Sequence, residues 1–395
     1  MLDIKRQEEV IKTCRKLVRI KSYSGHEKEL VDYLHKTMEW MGYDEISVDE
    51  YGSIIGVIRG RKPGPRILFD GHIDTVPVPD PTVWKHDPFG GEIDGGKIYG
   101  RGTSDMKGAV ASMVCAAAYF AADTQKEFAG EIVVAGTVQE ECFEGIAARK
   151  TTASYTPDYV VIGEASALNL KRGQRGRAEI VVETFGKPAH SASPEKGNNA
   201  VYQMTTLIEE LKKLKYSEHP FLGKGILVLT DIISSPYPGA SVVPSYCKAT
   251  YDRRLLVGEK PEEVLKPVKQ VIAELHEKEP EFNAKVSFVA ASENCYTGNT
   301  IEAERFFPAW LYEEDDPYVQ SCIQGLKRIG LKPEITKYSF CTNGSHYAGE
   351  AGIKTIGFGP SEETLAHTID EYIEVDQLLG ACKGYYGIMD SILKI

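Results

Sequence analysis

Side chains able to hold a metal ion recur where short apolar runs give way to turns. "RILFDGH" (Arg66 to His72) ends in His72, with Asp74 two residues on. "EIVVAGTVQEE" ends in the adjacent pair Glu140 and Glu141, and "DYVVIGE" ends in Glu164. "IKTIGFGP" is followed within about ten residues by His367, and Asp105 lies in the glycine-rich "GRGTSDMKG". Two adjacent carboxylates repel, and burying them without a partner is costly. Either they hang into solvent or something positive sits between them. Two histidines and three carboxylates suit a pair of divalent cations, zinc ahead of manganese or cobalt. Two cations about 3.5–4 Å apart need a bridging carboxylate, for which Asp105 is the natural candidate. One glutamate of the pair can then be a ligand. The other is left to take a proton from a metal-bound water, whose pKa a cation lowers towards about 7. Adjacent strand residues point to opposite faces, which lets the two side chains take different jobs.

Taken singly, each residue has an ordinary reading: a core histidine, a solvated loop pair, a turn or helix cap, a strand-end acid, an exposed loop histidine. Five such coincidences at the ends of successive apolar runs do not. What must position them is an α/β sheet. The runs alternate with helices predicted at about 7–18, 27–41, from Met106 ("MKGAVASMVCAAAYFAA") and near 317–329. That alternation points to parallel strands, whose carboxyl ends line the functional crevice. The middle of the chain reads differently. A strand at 177–184, a helix at about 198–214, strands at about 225–233 and 246–255, a helix opening at Pro261 and a strand at 285–290 follow the β-α-β-β-α-β ferredoxin-like order. The domains expected are 1–173 with 292–395 for metal binding, and 174–291 as an inserted domain.

The pieces "GHIDTVP", "GRGTSDMKG", "TVQEE", "VIGE", "GKPAHSASP" and "AHTIDEYIEV" span residues 71 to 375. In that order they resemble the co-catalytic zinc amidohydrolases that include acetylornithine deacetylase, succinyl-diaminopimelate desuccinylase, aminoacylase and glutamate carboxypeptidase. Within that group the chain is similar to the branch labelled selenium-metabolism-linked hydrolases. The resemblance implies a zinc-exopeptidase-like catalytic domain in which His72 and Glu164 hold one metal, Glu141 and His367 the other, and Asp105 bridges both. It implies Glu140 as general base and acid, Asp74 as the partner that orients His72, and His190 as the group that stabilises the oxyanion, often from across a dimer. Asn199 and Arg254 match positions that contact the substrate's carbonyl or carboxylate. The loop "CTNGSHYAG" departs from the glycine-rich Thr-Asp stretch of many relatives, and its Asn343 and His346 are expected to touch substrate. His86 reads as structural or as an edge of the cleft.

The implied reaction is hydrolysis of an amide C–N bond in a small N-acyl amino acid or dipeptide-like compound, with deacylation ahead of dipeptidase action. A carbamoyl or ureido amidohydrolase on the same scaffold is the rival enzyme, and a non-catalytic metal or small-molecule binder the rival of another class. Net charge of −11 without basic stripes argues against nucleic acid. No apolar stretch reaches the about 18 residues of a membrane span. The first residues lack a secretory apolar core, and the eight cysteines are scattered without a framework. A cytoplasmic protein acting on a small molecule is therefore expected, and the resemblance implies a homodimer with residues 174–291 as its lid and dimerisation domain.

Overall fold

Apolar periodicity sets the first elements, in a computed structural model that describes residues 2–393. Helix α1 (Ile4–Arg19) is capped by Asp3, whose carboxylate accepts from the Arg6 amide at 2.8 Å. It buries Val10, Cys14, Leu17 and Val18. Then come α2 (Lys28–Trp40), β1 (Glu45–Val48), β2 (Ile54–Arg59), β3 (Lys62–His72), α3 (Gly108–Asp123), β4 (Ala129–Thr137), α4 (Ala148–Tyr155), β5 (Tyr159–Ile162) and β6 (Leu170–Gln174). The chain next makes β7 (Gly176–Phe185), α5 (Ala200–Leu211), β8 (Ile226–Ser235), β9 (Tyr246–Leu255), α6 (Pro261–Lys278) and β10 (Ala284–Phe288). It closes with β11 (Trp310–Leu311), α7 (Pro317–Arg328), β12 (Ile335–Tyr338), β13 (Lys354–Gly357) and α8 (Val375–Leu393).

Two compact units result. The first holds residues 1–174, 292–302 and 310–395, and the second holds 175–291 and 303–309. The segment 303–309 was not expected in the second unit. It belongs there because Phe306 and Phe307 pair with Ala178 and Arg177 of β7, and Phe306 packs edge-on against Phe288.

The first unit is an α/β layer structure. Its sheet runs β1-β2-β4-β3-β5-β13-β6-β11, with β12 beside β6. The four central strands β4-β3-β5-β13 are parallel, and the flanking pairs β1·β2, β2·β4, β13·β6 and β6·β11 are antiparallel. Central strands are covered on both faces, so they read as continuous apolar runs. Leu68, Val133 and Val160 are completely buried. Helix α3 is buried from Gly108 through Ala121 and packs on α1 and α8. Its alanines keep it slim enough to lie against the sheet, and Asp105 stands just before its first turn. The register His72↔Thr137 brings the carboxyl ends of β3 and β4 level, and β5 ends at Ile162, two residues before Glu164.

The second unit has the ferredoxin-like topology. Its sheet runs β8-β9-β7-β10, antiparallel throughout. Alternation along β7 and β9 sends Ala178, Ile180, Val182, Ala249 and Tyr251 into a core shared with Leu207, Val264 and Val268 of the two helices. The residues between them in sequence are only partly buried: Arg177 and Glu179 on β7, Asp252 and Arg254 on β9.

Candidate metal centre

His72 closes β3 and is buried. Its Nδ1 lies 2.9 Å from the backbone carbonyl of Asp74. That contact requires the proton on Nδ1, which leaves the Nε2 lone pair as a ligand atom. Nε2 faces Asp105 Oδ1 at 2.8 Å and Glu164 Oε1 at 3.5 Å. The second oxygen of Asp105 faces His367 Nε2 at 3.0 Å, and the same imidazole nitrogen lies 3.1 Å from Glu141 Oε2. One carboxylate therefore stands between two imidazoles, an oxygen to each. Two groups have ligand atoms all within 4.8 Å of one another: His72 with Glu140 and Glu164, and His72 with Asp105 and Glu141. All five residues expected as ligands converge, together with Glu140.

The local backbone explains how. Asp105 is extended (φ −129°, ψ 91°), so its side chain leaves the line of α3. His367 sits at φ +62° in a loop tied down by His86, whose amide, with that of Lys85, donates to Asp370 Oδ1. The His86 ring stacks on Tyr99 at 3.9 Å, so His86 is structural.

The glutamate pair needs a correction. Strand β4 ends at Thr137, so Glu140 and Glu141 do not diverge through strand pleating. Gln139 adopts φ +60° and turns the chain, and the two following amides point at Asp74. Glu140 N–H reaches Asp74 Oδ1 at 3.1 Å and Glu141 N–H reaches Oδ2 at 3.2 Å. Ser24 Oγ donates to the same Oδ2 at 2.8 Å. This also revises Asp74. Its carbonyl, not its carboxylate, makes the closer contact with His72. Oδ1 lies 3.6 Å from the ring, beyond a hydrogen bond, and the carboxylate is spent on the glutamate turn.

Electrostatics follow from crowding four carboxylates around two imidazoles. Burial pushes Glu140 and Glu164 well above the usual carboxylate range; neighbouring acids add to it, and His72 opposes it. Burial also raises Glu141. Burial disfavours charge on His72, but Glu164, Asp105 and Asp74 outweigh it and lift His72 well above its ordinary value. Hydrogen bonds to Asp105 and then Glu141 raise His367 to about 10. Asp105 is lowered, because its bonds to His367 and His72 overcome burial. Divalent cations fit the same place, since the donors are all imidazole nitrogen and carboxylate oxygen and Asp105 has one oxygen on each side.

The expected substrate contacts fare differently. Asn343 is buried: its Nδ2 donates to Asp70 Oδ2 at 2.9 Å and its Oδ1 accepts from the Gly145 amide at 2.7 Å. It is a brace between β3 and the loop after Glu141, not a substrate ligand. His346 is also spent, with Nδ1 on Glu350 at 2.8 Å and Nε2 on Thr152 at 3.0 Å. In the second unit, Asn199 caps α5 through its Oδ1, which accepts from Val201 and Tyr202. Arg254 Nε lies 2.8 Å from Asp252. His190 is exposed, and its Nδ1 accepts from the Ala192 amide at 3.0 Å. Sequence reasoning passed over Ser24, in "SYSGHEKE", and Glu371, in "TIDEY". The signal for Glu371 was an acid four residues beyond a ligand histidine.

Known proteins bear on this geometry. The chain matches Peptidase family M20/M25/M40 over residues 68–391. It is 35% identical over 373 residues to Escherichia coli (strain K12) YgeY, itself described as uncharacterized, covering 92% of this chain and 90% of that protein. It is 27% identical over 386 residues to succinyl-diaminopimelate desuccinylase 2 of Ruegeria sp. (strain TM1040), covering 94% and 91%. In fold it is similar to aminopeptidase PepT from Bacillus cereus ATCC 10987, with a TM-score of 0.76 at 21% identity, over 98% and 99% of the two chains. It is likewise similar to the Bacillus subtilis YxeP protein, a dinuclear metal binding peptidase of the M20 family, with a TM-score of 0.75 at 15% identity, over 99% of each chain. With the match spanning both units and every strand-end ligand, this chain belongs to peptidase family M20/M25/M40.

Proposed function

We propose that the protein is a metal-dependent hydrolase that cleaves the amide C–N bond of a small N-acyl amino acid or dipeptide-like substrate, deacylation ahead of dipeptide cleavage. The observation that carries this reading is Asp105 placed between His72 and His367 with the buried Glu140 beside them. His72 and Glu164 would hold one cation, Glu141 and His367 the other, and Asp105 both, with zinc the best match to the donors. When bound, such cations polarise a carbonyl and make a bound water acidic enough to be a nucleophile near neutral pH.

The chain's own residues do the rest. Asp74 fixes the Glu140 backbone, so the carboxylate is presented from a rigid turn. Burial raises its pKa, which suits a group that first accepts a proton from the attacking water and then delivers it to the departing amine nitrogen. The carbonyl carbon gains the water oxygen, the C–N bond breaks, and a carboxylic acid and an amine leave. His190 is assigned to the developing oxyanion: with Nδ1 accepting a hydrogen bond, its proton sits on Nε2, a donor. Arg254 is assigned to the substrate carboxylate.

A homodimer through the second unit suits strand β8, an edge strand whose Val228, Ile232 and Ile233 are about half exposed. No helix among the described residues is long and apolar enough to cross a membrane. The cysteine pattern suits the cytoplasm. A panel of N-acyl amino acids, dipeptides and ureido acids with product identification tests the reaction. Carboxylic acid plus amine is expected; ammonia and carbon dioxide would move the reading to a ureido amidohydrolase.

A further inference from the structure

Two buried carboxylates beside the ligand set accept hydrogen bonds from backbone amides. Asp74 holds the Glu140–Glu141 turn by its amides, as described. Glu371 does the same for another turn. It is fully buried, and its Oε1 accepts from the Ser104 amide at 2.8 Å and the Asp105 amide at 3.2 Å. Its Oε2 accepts from Arg101 Nη1 at 2.5 Å.

The topology gives this contact reach. Residues 372–374 pair antiparallel with residues 97–99, and the Gly100 amide donates to the Glu371 carbonyl at 2.8 Å. The segment that carries His367 is thus stitched to the segment that runs through Arg101 to Asp105. Glu371 is the side chain that makes the stitch at the ligand itself. The Asp105 backbone is extended and starts no helical turn of its own. Its amide, part-buried, and that of Ser104, buried, both take this carboxylate as their acceptor.

We infer that Glu371, steadied by Arg101, is a positioning residue that sets the bridging carboxylate of Asp105 by holding the Ser104 and Asp105 amides. This rests on the two-cation reading of the centre. Because Asp105 serves both imidazoles, loosening its turn weakens both cation positions. Partners of this kind, one step removed from the metal, change affinity by about 10- to 100-fold.

A plain ion pair would give a different result, and side-chain length separates the two. Glu371→Asp keeps the charge opposite Arg101 but is one methylene short of the amides. Glu371→Gln keeps the length and an acceptor oxygen but loses the charge. Cation affinity is measured by chelator competition, and the centre is read by the absorption spectrum of the cobalt-substituted protein, with thermal melts of the metal-free variants to confirm folding. The expected result is a loss of about 10- to 100-fold at both positions and an altered cobalt spectrum for Glu371→Asp, with Glu371→Gln close to the wild type. The reverse ranking, equal losses, or wild-type affinity in both overturns the inference. Should Glu371→Asp not fold, Glu371→Gln decides: near-wild-type affinity supports the amide hold, and a loss of about tenfold or more overturns it. A wild-type protein that takes up no cation would overturn this inference together with the two-cation reading.

Discussion

Replacing Asn343 by alanine removes two buried hydrogen bonds at once. One runs from Asn343 Nδ2 to the Asp70 carboxylate at 2.9 Å, the other from the Gly145 amide to Asn343 Oδ1 at 2.7 Å. A bond to a charged group contributes about 1.5–3 kcal/mol, and a buried amide left unpaired costs about 1–3 kcal/mol. Asp70 keeps Thr137 Oγ1 at 2.6 Å and the Tyr347 hydroxyl at 3.0 Å, so it is weakened and not stranded. The lower half of the first range therefore applies, and with the middle of the second the expected loss is about 4 kcal/mol. Urea unfolding of the metal-free protein measures it, and steady-state kinetics on a cleaved substrate give KM alongside. The brace predicts reduced stability with KM unchanged. Full stability with a raised KM would refute the structural assignment and return Asn343 to the substrate.

Four further outcomes follow from the geometry. In the metal-free protein the folded-state pKa of His367 lies above the ordinary value of about 6.5, at about 10. Its contribution to stability is then complete below about pH 6.5 and is lost as pH rises through about 10, so melts of chelator-treated protein decline over that window; a flat profile contradicts the His367 contacts. Cation uptake at about pH 8 displaces that proton and makes the binding enthalpy depend on the buffer. Asn199→Ala costs about 1 kcal/mol through loss of the α5 cap and leaves KM unchanged, whereas a raised KM would restore its substrate role. Ile232→Lys on the exposed edge of β8 yields a folded monomer in sedimentation, and an unshifted dimer would place the interface elsewhere.

How much of this was legible in the sequence varies with the range of the forces involved. The strand-end ligands were legible because a parallel strand buried on both faces announces itself as a short apolar run, and the residues just past its carboxyl end lie at the crevice. Helix α1 and the β-α-β-β-α-β order were legible for the same local reason, periodicity. The Glu140–Glu141 geometry was not, since it depends on the positive φ of Gln139, a residue with no glycine-like signal. Asn343 and His346 were misread because a polar residue in a glycine-containing loop looks the same whether it meets substrate or a buried partner. Only the fold shows that Asp70, 273 residues away in sequence, waits opposite Asn343. The placement of 303–309 in the second unit was likewise invisible, because two phenylalanines pairing with β7 are a matter of register and not of pattern.

In the proposed reaction two adjacent glutamates divide their labour, Glu141 holding a cation and Glu140 moving a proton. Metal content and turnover of the wild type beside Glu140→Gln test it most directly. Two cations per chain are expected in both proteins, with a kcat lower by about 10²- to 10⁴-fold in the variant. A variant that loses a cation would make Glu140 a ligand, and a variant that keeps both cations and full turnover would contradict its role in proton transfer.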